Sequence, residues 1–391
     1  MALQPSQLMT SSPGRRALLC ITGAFAVGGG VAALNRLVLK ALTDCDHDRT
    51  RLTVLALNEP ASTPLDPFYL DPERTIWRPF GKRLGAFVKA VWYEVLARRW
   101  DLIFTDQVGV ASVLYPLSRL GLCRYSVSCN GMELSPSLLS WRRRLALFAA
   151  ELRIAISPTT RDALRARFPG LPVTVCELAL DPKLALDAAV PRIPLALTTA
   201  FGERREIGPQ IVLCVGRMWS DQRHKGQDAL IRALPLVRAQ VPNAQFVLAG
   251  DGDWIDELRT LAVAEGVGHE VFLPGLVGDE VRDTLYARCV VFAMPSRGEG
   301  FGLVYLEAMR WGKPCVAGAL DAARDVIVDG KTGLLLAEPH DPRLLADALC
   351  RLLKDPEAAR AMGAAGRSRL EERYLFAHFE ERFLRAVGWI Q

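Results

Sequence analysis

The chain has 391 residues, of which 50% are hydrophobic and 23% are charged. This composition is ordinary for globular proteins and excludes collagen-like, disordered and small disulfide-stapled chains, and the length favours two domains over one. The net charge of +5 hides an asymmetry, because residues 1–200 carry 24 Lys and Arg against 16 Asp and Glu, whereas residues 201–391 carry 24 against 27.

Charge and cysteine usage indicate the kind of partner and compartment. A basic first half favours an anionic partner, such as a membrane surface or a phosphorylated acceptor. We expect no nucleic acid partner, because the basic residues form no recognisable binding motif. The 9 cysteines include no CxxC pair, which fits reduced thiols in a cytoplasmic protein better than disulfides or a zinc site.

The first residues imitate a targeting segment. Arg15 and Arg16 precede an apolar run like that of a signal peptide or a membrane anchor. Gly28–Gly30 interrupts this run, however, and polar residues follow it within a helical pattern. We therefore predict a disordered leader over residues 1–14, then a buried strand, a Gly-rich turn and a helix, with no membrane-spanning segment.

Strands and helices alternate along the first half. The clearest helix, Leu84–Trp100, carries apolar residues at the i, i+3, i+4, i+7 spacing of one helix face. The other predicted helices are Val31–Leu42, Val108–Leu120, Trp141–Ala150 and Pro158–Phe168. The predicted strands are Ala17–Thr22, Leu52–Leu57, Leu102–Thr105, Tyr125–Ser128, Arg153–Ile156 and Val173–Cys176. This alternation predicts a parallel sheet covered by helices on both faces.

A second alternating series follows a proline-rich connector at 181–209. Its predicted strands are Ile211–Val215, Gln245–Ala249, Val271–Leu273, Val290–Met294, Pro314–Ala317 and Gly333–Leu336, and helices near 355–371 and 376–388 close the chain. We therefore predict an α/β protein with two Rossmann-like, doubly wound domains at 15–180 and 210–371. The last segment, 372–391, is expected to pack back on the first domain. In such sheets, ligands bind at the carboxyl ends of the strands.

The stretch Ser296–Met309 combines glycines and carboxylates between a predicted strand and a predicted helix. Its glycines let the backbone approach a ligand closely, and unpaired N–H groups at a helix start attract phosphate. Glu299 and Glu307 frame the loop, and carboxylates accept hydrogen bonds well from sugar and ribose hydroxyls. The combination indicates a nucleotide-sugar site. The competing interpretation is a plain Gly-rich loop, with Glu307 paired to Arg310 on a solvated helix face.

Two cations lie near another strand of the second series. Gly216-Arg217 follows the strand Ile211–Val215 directly, and Lys225 precedes the next helix. Both side chains are expected on the same sheet edge as Glu299, where they would neutralise a departing diphosphate. The alternative is a pair of solvated loop cations.

Four motifs follow one another in the second half: Val215-Gly216-Arg217, Lys225-Gly226, Ala249-Gly250-Asp251-Gly252, and Gly298-Glu299-Gly300-Phe301-Gly302 with Glu307 after it. In this order they resemble the retaining glycosyltransferases of family four, which have the GT-B fold, two Rossmann-like domains facing each other across a cleft. The resemblance is dense over residues 211–336. The first half matches only through its Gly-rich first loop.

The resemblance implies a role for each matching residue. Catalysis would involve Glu299, Arg217, Lys225 and Asn130. The donor-binding residues would be Gly29, Gly216, Arg217, Lys225, Leu276 (in the base-contacting loop Pro274–Val277), Glu299, Gly300, Phe301, Gly302, Leu303 and Glu307. Lys225 and Arg217 would hold the donor diphosphate, Glu299 the hydroxyls of the transferred sugar, and Glu307 the ribose diol.

The sequence departs from the family pattern at two places. Asn130-Gly131-Met132-Glu133 has asparagine where relatives often have histidine, and asparagine does not titrate near neutral pH. Asp325 replaces the usual glutamate of a later Gly-rich loop whose glycines are also missing, which indicates a tighter or altered pocket.

We expect neither a metal nor a cofactor, with the nucleotide-diphosphate sugar as co-substrate. Asp251-Gly252-Asp253 resembles an Asp-x-Asp metal motif, but its position after a strand favours a turn, and cations already neutralise the phosphates. The 5 histidines show no ligand spacing.

Basic and aromatic residues occur together on two helices of the first half. Lys89, Arg98 and Arg99 accompany Trp92 and Tyr93 on one, and Trp141-Arg142-Arg143-Arg144 opens the other. This combination suits a peripheral enzyme on an anionic membrane, at the inner face of the cytoplasmic membrane, although a core helix with a solvated edge has the same pattern.

These observations predict a retaining transferase of a mannose- or glucose-type hexose, acting on a glycan or lipid-linked saccharide in polysaccharide or glycolipid biosynthesis. The alternatives are a GT-B sugar-nucleotide epimerase and a non-catalytic nucleotide-sugar-binding protein. A dehydrogenase is disfavoured, because Gly28–Gly30 lacks the GxGxxG spacing. Donor base, acceptor and linkage position have no signature in the sequence.

Overall fold

The computed structural model describes residues 14–26, 28–45, 50–131, 139–189 and 194–391, so the predicted leader, except Gly14, and Met132 and Glu133 lie outside the described residues. The chain forms two compact units. The first consists of Met1–Ser128, Leu139–Arg153 and Phe383–Gln391, and the second of Cys129–Leu138 and Ile154–Arg382.

Seven parallel strands form the first sheet, in the order β3-β2-β1-β4-β5-β6-β7. The strands are β1 (Arg16–Ile21), β2 (Arg51–Ala56), β3 (Thr75–Pro79), β4 (Leu102–Thr105), β5 (Ser126–Cys129), β6 (Leu152–Ala155) and β7 (Thr174–Val175). The helices between them are α1 (Gly30–Asp44), α2 (Leu84–Ala97), α3 (Val108–Arg119), α4 (Trp141–Ala149) and α5 (Pro158–Arg167). The central strands are buried along almost their whole length, as expected for a sheet covered on both faces.

Six parallel strands form the second sheet, in the order β12-β11-β10-β13-β14-β15. A short antiparallel pair, β8 (Ala196–Thr198) and β9 (Arg204–Glu206), precedes it. The six strands are β10 (Ile211–Val215), β11 (Gln245–Ala249), β12 (Val271–Gly275), β13 (Val291–Met294), β14 (Cys315–Gly318) and β15 (Gly333–Leu336). The helices are α6 (Gln227–Arg238), α7 (Ile255–Ala264), α8 (Asp279–Arg288), α9 (Leu303–Arg310), α10 (Ala323–Val326), α11 (Pro342–Lys354), α12 (Pro356–Arg373) and α13 (Phe376–Ala386).

Sequence reasoning missed two features of this fold. Strand β3 was not predicted, because an edge strand has partly exposed residues and no continuous apolar run, and β3 ends in Pro79, which an edge tolerates. The pair β8–β9 lies inside the predicted connector 181–209, and the whole of β9 is exposed. Both features owe their structure to a neighbouring strand rather than to their own sequence pattern.

The predicted helix Leu84–Trp100 is three residues too long, since α2 ends at Ala97. The backbone of Arg98 is extended, with φ −144° and ψ 156°. The indole N–H of Trp100 donates to the carbonyl of Glu94 at 2.9 Å, which fixes the chain as it leaves the helix. The other predicted elements are present, and their ends agree with the structure to within a few residues.

Two buried carboxylates organise the carboxyl ends of the first sheet. The side chain of Asp106, directly after β4, accepts from the Thr22 N–H at 2.7 Å and from the Asn35 amide at 2.8 Å. Burial raises the pKa of Asp106, and these hydrogen bonds oppose the rise. The carboxylate of Glu59, which is fully buried, accepts from the consecutive N–H groups of residues 24–26 at 2.6 to 3.2 Å. The loop after β1 is therefore held by side chains from the ends of neighbouring strands.

Replacing Glu59 with alanine should destabilise the first unit, because three buried or half-buried N–H groups lose their acceptor. Such a loss costs roughly 3 kcal/mol in the free energy of unfolding. Urea unfolding would measure it, with Glu73→Ala as the control, since Glu73 is an exposed carboxylate in the same unit. A loss for Glu59→Ala no larger than that of the control would contradict this role.

Candidate functional site

Several of the predicted site residues of the second half lie where β10 and β13 end. These two strands are parallel neighbours, so the segments that leave them lie at the same sheet edge. The strand order, with the first and fourth strands of the series adjacent, makes this the point where the winding of the sheet reverses. Open α/β sheets bind ligands at such a switch point.

Lys225 and Glu299 are in contact there. The Lys225 ammonium donates to a Glu299 carboxylate oxygen at 2.5 Å, and the two side chains are 13% and 14% exposed. Lys225 ends a 3-10 helix, Ser220–Lys225, that follows β10, and Glu299 lies in the loop after β13. Because the pair is largely shielded from water, its charges act on a ligand more strongly than exposed charges would.

Gly226 lets the chain turn directly after Lys225. Its φ of +77° lies in the left-handed region, and a β-carbon there would come within 2.7 Å of the Pro295 carbonyl oxygen. A β-carbon on Gly216 would lie 3.6 Å from Cδ of Lys225, so Gly216 borders the lysine side chain. Only glycine at position 226 brings the Lys225 and Pro295 segments this close.

Both sides of the Glu299 peptide are fixed by the segment after β14. The N–H of Glu299 donates to the Asp321 carboxylate at 2.7 Å, and its carbonyl accepts from the N–H of Ala322 at 3.2 Å. A β-carbon on Gly300 would lie 2.3 Å from the carbonyl oxygen of Asn130, and both residues belong to the second unit. The structure therefore brings Asn130 and Gly300 together, through backbone atoms.

The start of α9 is shaped by Gly302 and two aromatic rings. Gly302 has φ +91°, and a β-carbon there would lie 2.4 Å from the Tyr305 ring. The Tyr305 hydroxyl donates to the Met294 carbonyl at 2.9 Å, and the Phe301 ring packs edge-on against Tyr374 at 5.9 Å between centroids. Leu303 begins the helix, and no side chain among the described residues caps its N-terminus. This end of α9 presents backbone N–H groups of the kind that bind anions.

Glu307 is half-buried against α8. Burial raises its pKa, the Arg282 guanidinium opposes the rise, and the Tyr286 hydroxyl hydrogen-bonds to the carboxylate. The alternative pairing with Arg310 is wrong, because the Arg310 guanidinium donates to Asp283 at 3.1 Å and to the Ala185 carbonyl at 2.7 Å. Glu307 is thus oriented by its neighbours and keeps partial access to solvent.

Three other predicted residues are not drawn into these contacts. The Arg217 side chain is exposed and forms no ion pair with the described residues. Leu276, in the loop after β12, is 83% exposed. Gly29 belongs to the first unit, where it forms the N-cap of α1 with φ 105°.

Two residues near the pair were missed or undervalued by sequence reasoning. Asp321 is buried, and burial raises its pKa to about 6; it stands in no motif, so only the folded chain reveals it. His224, which directly precedes Lys225, is half-buried next to Gly298. Burial, followed by the Lys225 charge, lowers the pKa of His224.

The two aspartates of the Asp251-Gly252-Asp253 motif accept hydrogen bonds from the segment that follows β10. The Asp253 carboxylate accepts from the backbone N–H of Ser220 at 2.6 Å and from its hydroxyl at 2.9 Å, and the Asp251 carbonyl accepts from the Met218 N–H at 2.9 Å. Over the described ranges, no three His, Cys, Asp or Glu side chains are grouped in a way that would hold a metal ion. In the same ranges, no helix has the length and apolar character needed to cross a bilayer.

Comparisons with known proteins place these features in context. Residues 209–355 match the family model described as Glycosyl transferases group 1. The chain is 33% identical, over 310 residues, to the GDP-mannose-dependent alpha-(1-6)-phosphatidylinositol monomannoside mannosyltransferase of Mycolicibacterium smegmatis, with 76% of this chain and 75% of the relative covered. It is 30% identical to alpha-D-kanosaminyltransferase of Streptomyces kanamyceticus over 228 residues, which are 58% of this chain and 57% of the relative.

Solved structures share the fold at low sequence identity. Sucrose-phosphate synthase from Thermosynechococcus elongatus superposes with a TM-score of 0.75 at 23% identity, covering 96% of this chain and 98% of that one. Anabaena HepE in complex with UDP gives a TM-score of 0.74 at 20% identity, covering 96% and 100%. These matches, together with the two parallel sheets, confirm the predicted GT-B fold.

Replacing Gly302 with alanine should destabilise the second unit more than replacing Gly330. Both glycines have positive φ, which costs alanine roughly 1–2 kcal/mol. At Gly302 the new β-carbon would also strike the Tyr305 ring, whereas none of the described atoms lies within 4 Å of the corresponding position at Gly330. Urea unfolding of the two variants would compare the losses. Equal losses would show that the Tyr305 ring does not constrain this turn.

Proposed function

We propose a specific reaction for this chain, which belongs to the Glycosyl transferases group 1 family and is a glycosyltransferase of the hexosyltransferase type. The enzyme transfers a hexose from a nucleotide-diphosphate sugar to a hydroxyl group of a glycan or lipid-linked saccharide, with retention at the anomeric carbon. The contact between Lys225 and Glu299 at the switch point of the second sheet carries this proposal. The contact supports the proposal because an ammonium group can bind phosphate and a carboxylate can accept hydrogen bonds from sugar hydroxyls.

GDP-mannose is the proposed donor and a lipid-linked saccharide the proposed acceptor. The mycolicibacterial relative and its counterpart in Mycobacterium tuberculosis, also 33% identical, are both named as GDP-mannose-dependent enzymes acting on a phosphatidylinositol monomannoside. The sugar ring itself would meet mostly backbone in the Gly300–Gly302 segment, so the names of these relatives supply the choice of hexose.

In the proposed complex, Lys225 and the exposed Arg217 bind the diphosphate, and Glu299 accepts hydrogen bonds from the hexose hydroxyls. Glu307 accepts from the ribose diol, Leu276 lies against the base, and the Gly300–Leu303 backbone faces the sugar and phosphates. The positive charges of Lys225 and Arg217 stabilise the diphosphate most strongly as it departs. They therefore lower the activation barrier of transfer rather than only tightening donor binding.

Retention is proposed to occur on one face of the sugar. The bond between the anomeric carbon and the phosphate oxygen breaks, and the acceptor oxygen bonds to the same face of that carbon. The acceptor proton passes to the leaving diphosphate, so the protein needs no base, and asparagine at position 130 is compatible with the chemistry. Neither a metal nor another cofactor has a role in this scheme.

Lys225→Ala and Glu299→Gln should each lower the transfer rate at least ~100-fold, the scale observed when one transition-state donor or charge is removed. Radiolabelled transfer from GDP-mannose to a membrane lipid extract measures the rate, with the exposed Lys331→Ala as the control. Wild-type turnover in either site variant would remove the site assignment.

Donor choice is tested separately by thermal shift with GDP-mannose, GDP-glucose, UDP-glucose and UDP-galactose. A ligand at 100 times its Kd stabilises the folded state by about 2.7 kcal/mol, so the true donor should raise the Tm most, and Lys225→Ala should abolish the rise. Incubation with donor alone distinguishes an epimerase, which would convert it without any acceptor.

The acceptor side of the proposal is a membrane-facing surface on α4. Trp141, Leu145 and Phe148 are 66%, 39% and 48% exposed and recur at i, i+4 and i+7, so they lie on one outer face of the helix. Ala146 and Leu147 are buried and hold the opposite face in place. Arg142, Arg143 and Arg144 accompany the apolar stripe. An apolar face flanked by cations matches an anionic bilayer surface, and we place the enzyme on the inner face of the cytoplasmic membrane.

The double variant Trp141→Ser/Phe148→Ser should bind vesicles containing anionic lipid at least ~10-fold more weakly, since each large apolar side chain contributes roughly 1–2 kcal/mol when it enters the interface. Co-sedimentation measures binding, with Leu344→Ser, an exposed leucine of α11 in the second unit, as the control. Equal binding of the wild type to neutral and anionic vesicles, or undiminished binding by the double variant, would overturn the surface.

A further inference from the structure

We propose that Asp321 is the positioning residue for Glu299, and that sugar transfer requires its side chain in the carboxylate form. The inference rests on the proposed function, in which Glu299 binds the transferred hexose. Asp321 itself touches no substrate in this scheme and acts through the backbone of the loop that carries Glu299.

The geometry ties two loops together through one side chain. Asp321 follows β14, the sheet neighbour of β13, and is only 5% exposed. One of its carboxylate oxygens accepts from the Glu299 N–H at 2.7 Å, and the other accepts from the Ala323 N–H at 2.9 Å, where α10 begins. Because each oxygen accepts from a different backbone N–H group, a side chain with a single acceptor oxygen could keep one of these bonds but not both.

These bonds complete the restraint on Glu299. Its carbonyl accepts from Ala322, and its carboxylate binds the Lys225 ammonium. The backbone and side chain of Glu299 are therefore fixed by separate partners, Asp321 and Lys225. If the Asp321 contact is lost, the backbone of Glu299 can shift while its side chain stays bound to Lys225. The loop then no longer fixes the orientation of the Glu299 carboxylate.

The surroundings of Asp321 make its charge depend on pH in an accessible range. Burial raises its pKa to about 6, the Glu299 charge adds to the rise, and the N–H groups of Glu299 and Ala323 and the Ser296 hydroxyl oppose it. Glu299, from the loop after β13, is the charged group that acts on Asp321, and the charge of Asp321 in turn raises the pKa of the Tyr305 hydroxyl, from α9. A protonated Asp321 turns one acceptor into a donor that faces an N–H group, so one of the two bonds breaks.

Activity and stability should then respond to pH in opposite directions. Activity falls as the pH drops through about 6, because Asp321 gains a proton there. The folded-state pKa lies above the value of 3.8 expected for an unperturbed aspartate, so the folded protein binds this proton more tightly than the unfolded chain does. The contribution of Asp321 to stability therefore rises as the pH falls from above 6 towards 4. A residue that contributed only to folding would change the stability of the protein with pH, but it would not cause activity to fall below about pH 6.

The decisive experiment is the pH profile of kcat/KM for transfer from GDP-mannose, measured from pH 4.5 to 8. The wild type should lose activity with an inflection near pH 6. Asp321→Asn should show a rate at least ~10-fold lower at pH 7.5 and no inflection near 6. Ser296→Ala should move the inflection to higher pH, because it removes a hydrogen bond that favours the carboxylate form.

Asp341→Asn is the matched control. The Asp341 carboxylate also accepts from two backbone N–H groups, of Arg343 at 2.8 Å and Leu344 at 3.3 Å, but at the exposed start of α11. Its pH profile should equal that of the wild type. An unchanged inflection in Asp321→Asn, or a shift to lower pH in Ser296→Ala, would overturn the proposal. If Asp321→Asn does not fold, Ser296→Ala decides the outcome alone.

A failure of the proposed function would be recognised by the absence of wild-type transfer from any nucleotide sugar at any pH. The ionisation of Asp321 would then still be tested by urea unfolding of the wild type and Asp321→Asn at pH 7 and pH 5. The wild type should gain stability relative to the variant at pH 5. An unchanged difference would show that Asp321 does not titrate in this range, and the inference would fail.

Discussion

The ion pair between Lys225 and Glu299 is the interaction on which the organisation of the second unit depends. It joins segments that are 74 residues apart and places both charges in a largely shielded position. Removing two charges from water costs free energy that their attraction recovers only when the geometry is good and the remaining polar groups are satisfied. The surrounding loops provide that geometry, through the left-handed turn at Gly226 and the bonds from Asp321 to the Glu299 backbone.

Close backbone packing at the strand ends is the second condition for this pair. A β-carbon on Gly250 would lie 1.9 Å from the Gly216 carbonyl oxygen, and one on Gly318 would lie 2.0 Å from the Ser296 carbonyl oxygen. The segments that leave neighbouring strands therefore touch through main-chain atoms. Such a surface presents N–H and C=O groups at fixed positions, which suits a ligand made of phosphates and hydroxyls better than an apolar one.

The helices and strands of this fold were predictable wherever their own residues carry a clear apolar pattern. The strands Leu102–Thr105, Ile211–Val215, Gln245–Ala249 and Gly333–Leu336 match the prediction to the residue, because buried parallel strands are continuous apolar runs. Strand β3 and the pair β8–β9 are stabilised by pairing with a neighbouring strand, and the pattern of their own residues does not predict a strand. The helix predicted over Leu84–Trp100 was too long, because its apolar spacing continues to Trp100 whereas the backbone is already extended at Arg98.

The candidate site was predictable in its location but not in its contacts. The motifs placed Lys225 and Glu299 at one sheet edge, since parallel neighbours end together, but they assigned each to a ligand rather than to the other. Asp321 could not be found from its sequence, because its role arises only when two loops, 22 residues apart at their contact, fold against each other. Glu307 was assigned to ribose without the Tyr286 and Arg282 contacts that orient it, which come from a helix with no motif of its own.

The two sheets share one winding order but differ in the side chains at the switch point, and this difference supports the proposed phosphate site in the second unit. In the first unit, the N–H groups of residues 24–26 follow β1 in the position where a dinucleotide-binding loop would hold phosphate. Those N–H groups already donate to Glu59, and Asp106 adds a second acidic group at the neighbouring strand end. An incoming phosphate would have to displace one carboxylate and approach the other. In the second unit the corresponding place holds Lys225, whose charge attracts phosphate, with the exposed Arg217 on the same strand end. The sign of the side chains at the strand ends thus disfavours phosphate at residues 24–26 and favours it beside Lys225, which supports the proposed placement of the donor diphosphate in the second unit.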